Sequence, residues 1–390
     1  MKRSVLPGLR TFWLAALIVC LIALQPRPAA IASDEPSAQQ IDAIFAAVTS
    51  AREPGMAVLV RKGGRTVFER GYGLRDLRSG LPVDETTDFR LASFTKQFTA
   101  MAVMLLVHDG KLRYDENLCD IFPEFPVYGK SITIRNLLNH TSGLVAYEDL
   151  MDKQYAGKSP EEIPQIRDAG VLALMEQQTG TRFPPGTHWE YSNSGYCVLA
   201  MVVEKISGTR FGDFLRKRIL EPLGMNRTLA YEYGKNFVPE RAYGYTNDAG
   251  VWLETDQSPT SATLGDGGIY TNLDDLAKWD DALRNHTPLS APEFQPAITP
   301  AVPSAGATSA NPPEFFTDGD GKPVSYGFGW FLDPYRGHNR MWHTGSSIGF
   351  RTVIERFNGD DITIIILENR TDHDVAALAL KVADLFLASD

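Results

Sequence analysis

Alternating hydrophobic and polar positions lie near both ends of the chain and predict two β-hairpins. The glycine-containing pairs Gly63-Gly64 and Asn358-Gly359 provide their turns. Each hairpin adjoins a segment with helical periodicity, 41–51 before the first hairpin and 375–387 after the second. The predicted strands are 56–61, 66–73, 351–357 and 362–368.

Between the two ends, apolar residues recur at helical spacing. Strands at both termini with helices between them predict an α+β fold. In that fold one antiparallel sheet is assembled from the two chain ends and flanked by the terminal helices, and a mainly α-helical region is inserted. We assign 38–90 plus 325–390 to the α/β part and 91–285 to the helical part of one domain. The predicted central helices are 96–108, 132–138, 195–206, 211–220 and 273–283.

The first 32 residues have the pattern of a secretory signal peptide. Basic residues precede a nearly continuous apolar run, 11–24, and Ala30 and Ala32 offer small residues for cleavage. A run of 14 residues is short for a membrane span, although an uncleaved N-terminal anchor is the alternative. We therefore expect cleavage after Ala32, a mature domain over 33–390 without a stable membrane span, and export to the periplasm or the medium.

Charge and cysteine content limit the partners of the chain. The formal net charge of −10 would become −14 after cleavage, which argues against nucleic acids and anionic membrane surfaces. Cys119 and Cys197 would remain after cleavage. They pair in an oxidising compartment, or Cys197 is a small residue of the core.

Residues 287–323 contain eight prolines and predict an irregular surface segment, either a solvated loop or one that shapes a substrate site.

Ser93-Phe-Thr-Lys96 is the most informative motif of the sequence. It places a hydroxyl three residues before an amine at the start of an apolar helical run, so both side chains share one face. Burial disfavours the charged ammonium, and the resulting amine can act as a base for the hydroxyl. Serine with lysine is a known alternative to the Ser-His-Asp triad, although this spacing also occurs by chance.

Two further motifs supply what a serine nucleophile needs. Tyr191 and Asn193 lie two apart in an extended turn, so a phenol for proton transfer and a carboxamide for substrate orientation face one pocket. His343, Thr344 and Gly345 fit an edge strand beside that pocket. There His343 and Thr344 are candidates to bind a substrate carboxylate or carbonyl, and Gly345 permits close approach of a substrate backbone.

The oxyanion of the reaction also needs donors. The Ser346 amide, which follows the third motif, and the Ser93 amide are the candidates. The three motifs then follow one another in the order and at the rough spacing of the serine penicillin-recognising enzymes. Longer segments match the characteristic segments of that family, namely 137–144, 184–193, 265–272 and 326–330.

From about residue 40 to the C-terminus the chain thus resembles that family, on the branch of class C β-lactamases, D-Ala-D-Ala carboxypeptidases, D-aminopeptidases and esterases. The resemblance implies a β-lactamase/transpeptidase-like fold. It makes Ser93 the acylated nucleophile, Lys96 its base partner, Tyr191 the proton shuttle and Asn193 a ligand of the substrate amide carbonyl. His343 stands where β-lactamases usually carry lysine, which weakens a dedicated β-lactamase interpretation and would make carboxylate binding pH-dependent.

Other candidate sites are weaker. Residues 345–349 match the Gly-x-Ser-x-Gly elbow of α/β-hydrolases around Ser347, but a hairpin rather than a helix is predicted to follow. His140 is interpreted as structural. The seven histidines show no metal-ligand spacing and no phosphate-binding loop is present, so no metal and no cofactor are predicted.

The sequence therefore predicts a secreted serine hydrolase with a small-molecule or peptide substrate. The expected substrates are D-amino-acid-containing peptides, cleaved as by a carboxypeptidase, or small esters. A β-lactamase proper and a slowly deacylating penicillin-binding sensor remain alternatives.

Overall fold

The computed structural model describes residues 36–302, the backbone of 316–317, and residues 322–387. The predicted signal peptide and much of the proline-rich segment lie outside these ranges. In the described ranges the α-helices are α1 Ala38–Ala46, α2 Lys96–His108, α3 Leu118–Ile121, α4 Ile134–Leu138, α5 Tyr147–Gln154, α6 Asp168–Glu176, α7 Asn193–Ser207, α8 Phe211–Leu215, α9 Leu273–Arg284, α10 Ala291–Phe294 and α11 Val375–Phe386. The strands are β1 Met56–Lys62, β2 Arg65–Tyr72, β3 Leu74–Asp76, β4 Leu81–Pro82, β5 Phe89–Arg90, β6 Leu229–Ala230, β7 Tyr245–Asp248, β8 Val251–Glu254, β9 Ile269–Thr271, β10 Phe316–Thr317, β11 Pro323–Val324, β12 Met341–Ser347, β13 Phe350–Phe357 and β14 Ile362–Glu368.

The principal sheet has five antiparallel strands in the order β12-β13-β14-β1-β2. Its two halves come from opposite ends of the chain and join where β1 pairs with β14, Met56 opposite Glu368 and Lys62 opposite Ile362. This arrangement confirms the predicted α+β fold. Strand β12 lies at one edge of the sheet, as expected for the segment that carries His343.

Alternate residues of the central strands pack into two separate cores. On β1, Ala57 and Leu59 face the helical region, whereas Val58 and Val60 face the terminal helices α1 and α11. Because both faces are covered, the inner strands are almost continuously apolar rather than alternating. The side of the sheet that faces the helical region also carries the candidate catalytic groups.

Most predicted helices are present with shifted ends. The first helix spans Ala38–Ala46 rather than 41–51, because Ser37 and Gln40 form a capping box that starts it earlier. The expected helix 211–220 is α-helical only to Leu215 and continues as a π-helical turn, Arg216–Leu220. Part of the proline-rich segment is also helical, since α10 and the 3-10 turn Gln295–Ile298 bury Phe294 and Ala297.

Two further observations bear on the sequence predictions. Cys119 and Cys197 are free thiols, and Cys197 is fully buried in the helical core. Their predicted alternative pairing is therefore absent from this structure. Within the described residues, no helix combines the length and the apolar character needed to cross a membrane.

Candidate active site

Ser93 lies in a tight turn between β5 and α2. A single 3-10 turn, Ala92–Thr95, precedes the helix, and Lys96 is the first residue of α2. Residues three apart nearly eclipse one another in a 3-10 turn, which brings the Ser93 hydroxyl and the Lys96 amine to the same side. Ala92 has a φ of +49°, a conformation that costs energy for a residue with a side chain and recurs at functional sites.

The Lys96 amine is fully buried and has three oxygen partners. Its Nζ lies 3.1 Å from Ser93 Oγ, 2.8 Å from Asn193 Oδ1 and 3.0 Å from the carbonyl oxygen of Asp266. The amide and main-chain oxygens can only accept, so two N–H groups of Lys96 donate to them. The remaining position of the nitrogen faces the Ser93 hydroxyl, which can donate to an amine or accept from an ammonium.

The buried carboxyl group of Asp168 fixes the loop that carries the Asp266 carbonyl. Asp168 accepts hydrogen bonds from the amides of Leu264 and Gly265, at 2.8 and 2.9 Å. Burial, together with the neighbouring Asp266 carboxylate, raises the pKa of Asp168 to about 7. Asp168 thus holds the loop whose carbonyl contacts Lys96, a role that no sequence motif indicated.

Tyr191 lies beside Lys96 at the N-terminus of α7. Lys96 Nζ is 4.8 Å from the centre of the Tyr191 ring, and the phenol oxygen is buried without a hydrogen-bond partner among the described residues. A buried polar group left unpaired is costly, and such groups gather where a ligand or reacting atom completes them. The next residue, Ser192, caps α7 by accepting from the Gly195 amide, and this cap orients the turn.

His140 supports this turn from behind. Its Nδ1 accepts a hydrogen bond from the Ser192 amide at 3.1 Å, and its ring lies 4.3 Å from the Tyr191 ring between centroids. Burial, with the nearby Lys96 charge, lowers the pKa of His140 well below its usual value, so the ring is neutral. These contacts agree with the structural interpretation of His140.

His343 also faces this cluster, but it is not presented to solvent. The side chain is 1% exposed; Nδ1 donates to the Thr344 carbonyl at 2.6 Å and Nε2 accepts from the Tyr326 hydroxyl at 3.0 Å. Burial and the Lys96 charge lower its pKa to about 3. The expectation of a carboxylate contact that varies with pH near neutrality therefore conflicts with the geometry, because the imidazole is neutral and both nitrogens are engaged.

Strand β12 presents main-chain groups along its free edge. Trp342 exchanges both of its main-chain hydrogen bonds with Phe331, on the side away from β13. Main-chain groups alternate in direction along an antiparallel strand, so those of Thr344 and Ser346 point to the same free edge as those of Trp342. The Ser346 amide is thus available as a donor, while the Thr344 carbonyl already accepts from His343.

Gly345 is required by the protein itself. A Cβ atom at this position would lie 2.0 Å from the Leu91 carbonyl oxygen and 2.2 Å from Thr352 Oγ1. The turn that precedes Ser93 thus approaches Gly345 closely, and the predicted approach of a substrate backbone stays a prediction. This close approach packs β12 against the turn that leads to the candidate nucleophile.

A second acidic group of the site that no sequence motif indicated is Glu148. Glu148, in the first turn of α5, accepts a hydrogen bond from Asn193 Nδ2 at 2.8 Å. Helix α5 had not been predicted, and Glu148 belongs to none of the three motifs. Only its closeness in sequence to the 137–144 segment could have drawn attention to it.

The remaining candidates do not form a second site. Residues 345–349 run from β12 into the hairpin with β13, so Ser347 is not on a strand-turn-helix elbow. One group in the described ranges could hold a metal ion, Glu368 with Asp372 and His373. However, the Arg370 guanidinium donates to both oxygens of Asp372 at 2.6 Å and already neutralises that carboxylate.

The family model and the relatives found by comparison with known proteins agree with one another. The Beta-lactamase family model matches residues 41–387. Penicillin-binding protein 4* of Bacillus subtilis is 32% identical over 348 residues, which cover 85% of this chain and 71% of that protein. A D-aminopeptidase of Cereibacter sphaeroides is 28% identical over 341 residues, covering 86% of this chain and 60% of that protein.

A solved structure has the same architecture. The D-amino acid amidase from Ochrobactrum anthropi SV3, in complex with L-phenylalanine amide, superposes with a TM-score of 0.71 at 25% identity. The match covers 89% of this chain and 97% of the amidase. The predicted β-lactamase/transpeptidase-like fold is thereby confirmed.

Proposed function

The chain belongs to the beta-lactamase family of serine hydrolases, and from that premise we propose that it acts through an acyl-enzyme on Ser93. The observation that carries the proposal is the position of Lys96 Nζ, 3.1 Å from Ser93 Oγ with two other oxygen acceptors. Two N–H groups of Lys96 donate to those acceptors, so the remaining position of its nitrogen faces the serine hydroxyl, whose proton it receives in this proposal.

In the proposed reaction Ser93 Oγ attacks the substrate carbonyl and passes its proton to Lys96 Nζ. The Ser93 and Ser346 amides hold the oxyanion, in keeping with the free-edge position of Ser346. Tyr191 then delivers a proton to the leaving amine or alcohol, and the bond to that group breaks. Water attacks the resulting ester and returns a proton to the site, which releases the acid and restores Ser93.

Four residues of the site have positioning roles in this proposal. Asn193 orients the substrate and fixes Lys96 through its Oδ1 atom. His343 acts indirectly, because its bonds to Tyr326 and Thr344 lock the edge strand against the aromatic cluster. Thr344 and Gly345 act through the backbone of that strand.

The proposed substrates are amides or esters, D-amino-acid-containing peptides or small esters in particular. The neutral His343 supports this choice over a dedicated β-lactamase, because it removes the cation expected there for a carboxylate. The D-aminopeptidase and D-amino acid amidase relatives point in the same direction. We further propose that residues 1–32 direct export of a single domain over 33–390, on the basis of their basic start and apolar run.

Covalent labelling tests the nucleophile. We expect a fluorophosphonate or fluorescent penicillin to label wild-type protein on the peptide that contains Ser93, as identified by mass spectrometry. Ser93→Ala should lose the label and at least about 10³-fold in ester hydrolysis, while the exposed surface variant Ser131→Ala should retain both. Full hydrolysis by Ser93→Ala would refute the assignment.

A substrate panel tests the reaction class. D-Ala-D-Ala peptides, a D-amino-acid amide, nitrocefin and a nitrophenyl ester are compared by kcat/KM. The highest value is expected with the D-amino-acid amide or the ester. A dominant value for nitrocefin would favour a β-lactamase proper, and a single burst without further turnover would favour a penicillin-binding sensor.

A further inference from the structure

A cavity of about 290 Å³ lies at one end of the principal sheet, apart from the candidate catalytic groups. Met341, the first residue of β12, and Phe357, the last of β13, line it on the side of the sheet. Leu283 of α9 and Phe294 of α10 line it on the side of the helices. Its lining includes none of the groups that surround Ser93, so it is a separate site.

A buried guanidinium group forms the polar side of this cavity. Arg356 lines the cavity and is only 6% exposed. Its Nε donates to Asp280 Oδ1 at 2.9 Å, and its Nη1 contacts the Met341 sulfur at 3.6 Å. A guanidinium has five N–H groups and a thioether is a weak acceptor. Most N–H groups of Arg356 therefore have no oxygen acceptor within residues 36–302 and 322–387.

The negative charge available to Arg356 is shared with another buried cation. Asp280 also accepts from Arg61 Nη1 at 2.8 Å, so one buried carboxylate pairs with two buried guanidinium groups. Arg61 has a second carboxylate at 2.7 Å, the more exposed Asp281, whereas Arg356 has no second one in the described ranges. A buried charge is costly unless it is compensated. An anion in the cavity would supply what Arg356 lacks.

The opening of the cavity adds a hydrogen-bond donor. Asn358 is exposed, and its Nδ2 contacts the same Met341 sulfur at 3.1 Å, which places it beside the Arg356 guanidinium. The carboxylate that lines the cavity, Asp361, accepts from Arg284 with both of its oxygens at 2.7–3.0 Å. The polar end thus presents N–H donors to an oxygen ligand, while its own acid is already paired.

We propose that this cavity binds a small organic monocarboxylate with an apolar tail. The carboxylate accepts hydrogen bonds from Arg356 and Asn358, and a guanidinium matches the geometry of a carboxylate. The tail packs against Leu283, Phe294 and Ile298. An apolar wall with a few convergent polar groups is typical of small-molecule sites, and the volume suits about ten water-sized groups. The proposal is independent of the acyl-enzyme function of Ser93.

Three ligands that separate charge from apolar contact test the proposal by isothermal titration calorimetry at pH 7 and low salt. Wild-type protein should bind 3-phenylpropionate with a Kd of about 1 mM or below. The uncharged 3-phenylpropanamide should bind at least about 10-fold more weakly, because it lacks the charge that pairs with Arg356. Propionate, which lacks the ring, should also bind at least about 10-fold more weakly.

Asn358→Asp locates the binding site. This nearly isosteric change at an exposed position places a carboxylate beside Arg356, so it should weaken 3-phenylpropionate binding by at least about 10-fold. Asn247→Asp is the matched control. Asn247 is exposed in the β7–β8 hairpin, away from the cavity, and aspartate keeps the oxygen that accepts from the Gly250 amide. The control should bind 3-phenylpropionate as the wild type does.

Arg356→Gln should remove the preference for the carboxylate over the amide. The proposal is overturned if 3-phenylpropionate does not bind at about 10 mM, or if the amide binds as tightly as the acid. It is also overturned if Asn358→Asp and Asn247→Asp bind the acid equally, since the ligand would then occupy another place. Asn358→Asp decides the matter even if Arg356→Gln, which breaks a buried ion pair, does not fold.

Discussion

Replacement of Gly345 by alanine should separate the edge strand from the nucleophile. The added Cβ would lie 2.0 Å from the Leu91 carbonyl oxygen, whereas real Cβ contacts are essentially never shorter than 3.0 Å. The strand and the Ser93 turn must therefore move apart by about 1 Å. The same atom would lie 2.2 Å from Thr352 Oγ1, whose hydrogen bond to the Leu91 carbonyl joins the neighbouring strand β13 to the same turn.

Both stability and activity should respond to this displacement. Overpacking typically costs about 1–3 kcal/mol of unfolding free energy, and loss of the Thr352 hydrogen bond adds about 1 kcal/mol. A shift of about 1 Å between the Ser346 amide and the Ser93 hydroxyl should reduce kcat/KM about 100-fold. The loss should be mainly in kcat, since the oxyanion donor acts in the transition state.

The assay compares Gly345→Ala with Gly359→Ala. Gly359 lies in the β13–β14 turn, and a Cβ there would have no heavy atom within 4 Å, so its replacement should be nearly neutral. Hydrolysis of a p-nitrophenyl ester gives kcat and KM, and thermal unfolding gives the stability change. If Gly345→Ala unfolded earlier yet retained kcat within threefold, the contact would be structural only, and the proposed role of the Ser346 amide would be refuted.

Two further predictions concern buried ionisable groups. Burial raises the pKa of Glu355 from 4.5 to about 8 in spite of Arg340 nearby. The folded protein therefore holds this proton more tightly than the unfolded chain, and its stability should fall as the pH rises between these two values. Glu355→Gln should flatten the fall of Tm between pH 5 and 9, and an unchanged fall would contradict the raised pKa. Because the pKa of His343 is lowered to about 3, the pH profile of kcat/KM should contain no His343 inflection between pH 5 and 8. An inflection near pH 6.5 that vanished in His343→Gln would show that the ring titrates in the working range.

The sequence was sufficient to predict those features of the fold and of the site that depend on local sequence patterns. The hairpins at the two chain ends follow from alternation and turn glycines, and their pairing into one sheet follows from their need to bury both faces. Ser93, Tyr191 and His343 could be selected because each lies in a short motif with its own chemistry. That they lie close together around Lys96 is a finding of the structure.

Features that depend on distant packing could not be read from the chain. Glu148 and Asp168 are isolated acids in sequence, and their contacts span 45 residues to Asn193 and 97 residues to Gly265. The state of His343 depends on Tyr326, which reaches it through the tertiary structure. The packing at Gly345 likewise depends on the tertiary structure, because a Cβ there would meet the Leu91 carbonyl oxygen.

The arrangement around Lys96 explains why such distant groups matter for the chemistry. Its three partners belong to the Ser93 turn, the start of α7 and the Asp266 loop, and each is fixed by a different buried contact. Since hydrogen-bond geometry decides which partner the nitrogen lone pair faces, a shift of any one support would redirect the amine. The geometry of the proposed base is therefore a property of the assembled helical region rather than of the Ser-x-x-Lys motif, which explains why the motif alone is weak evidence of catalysis.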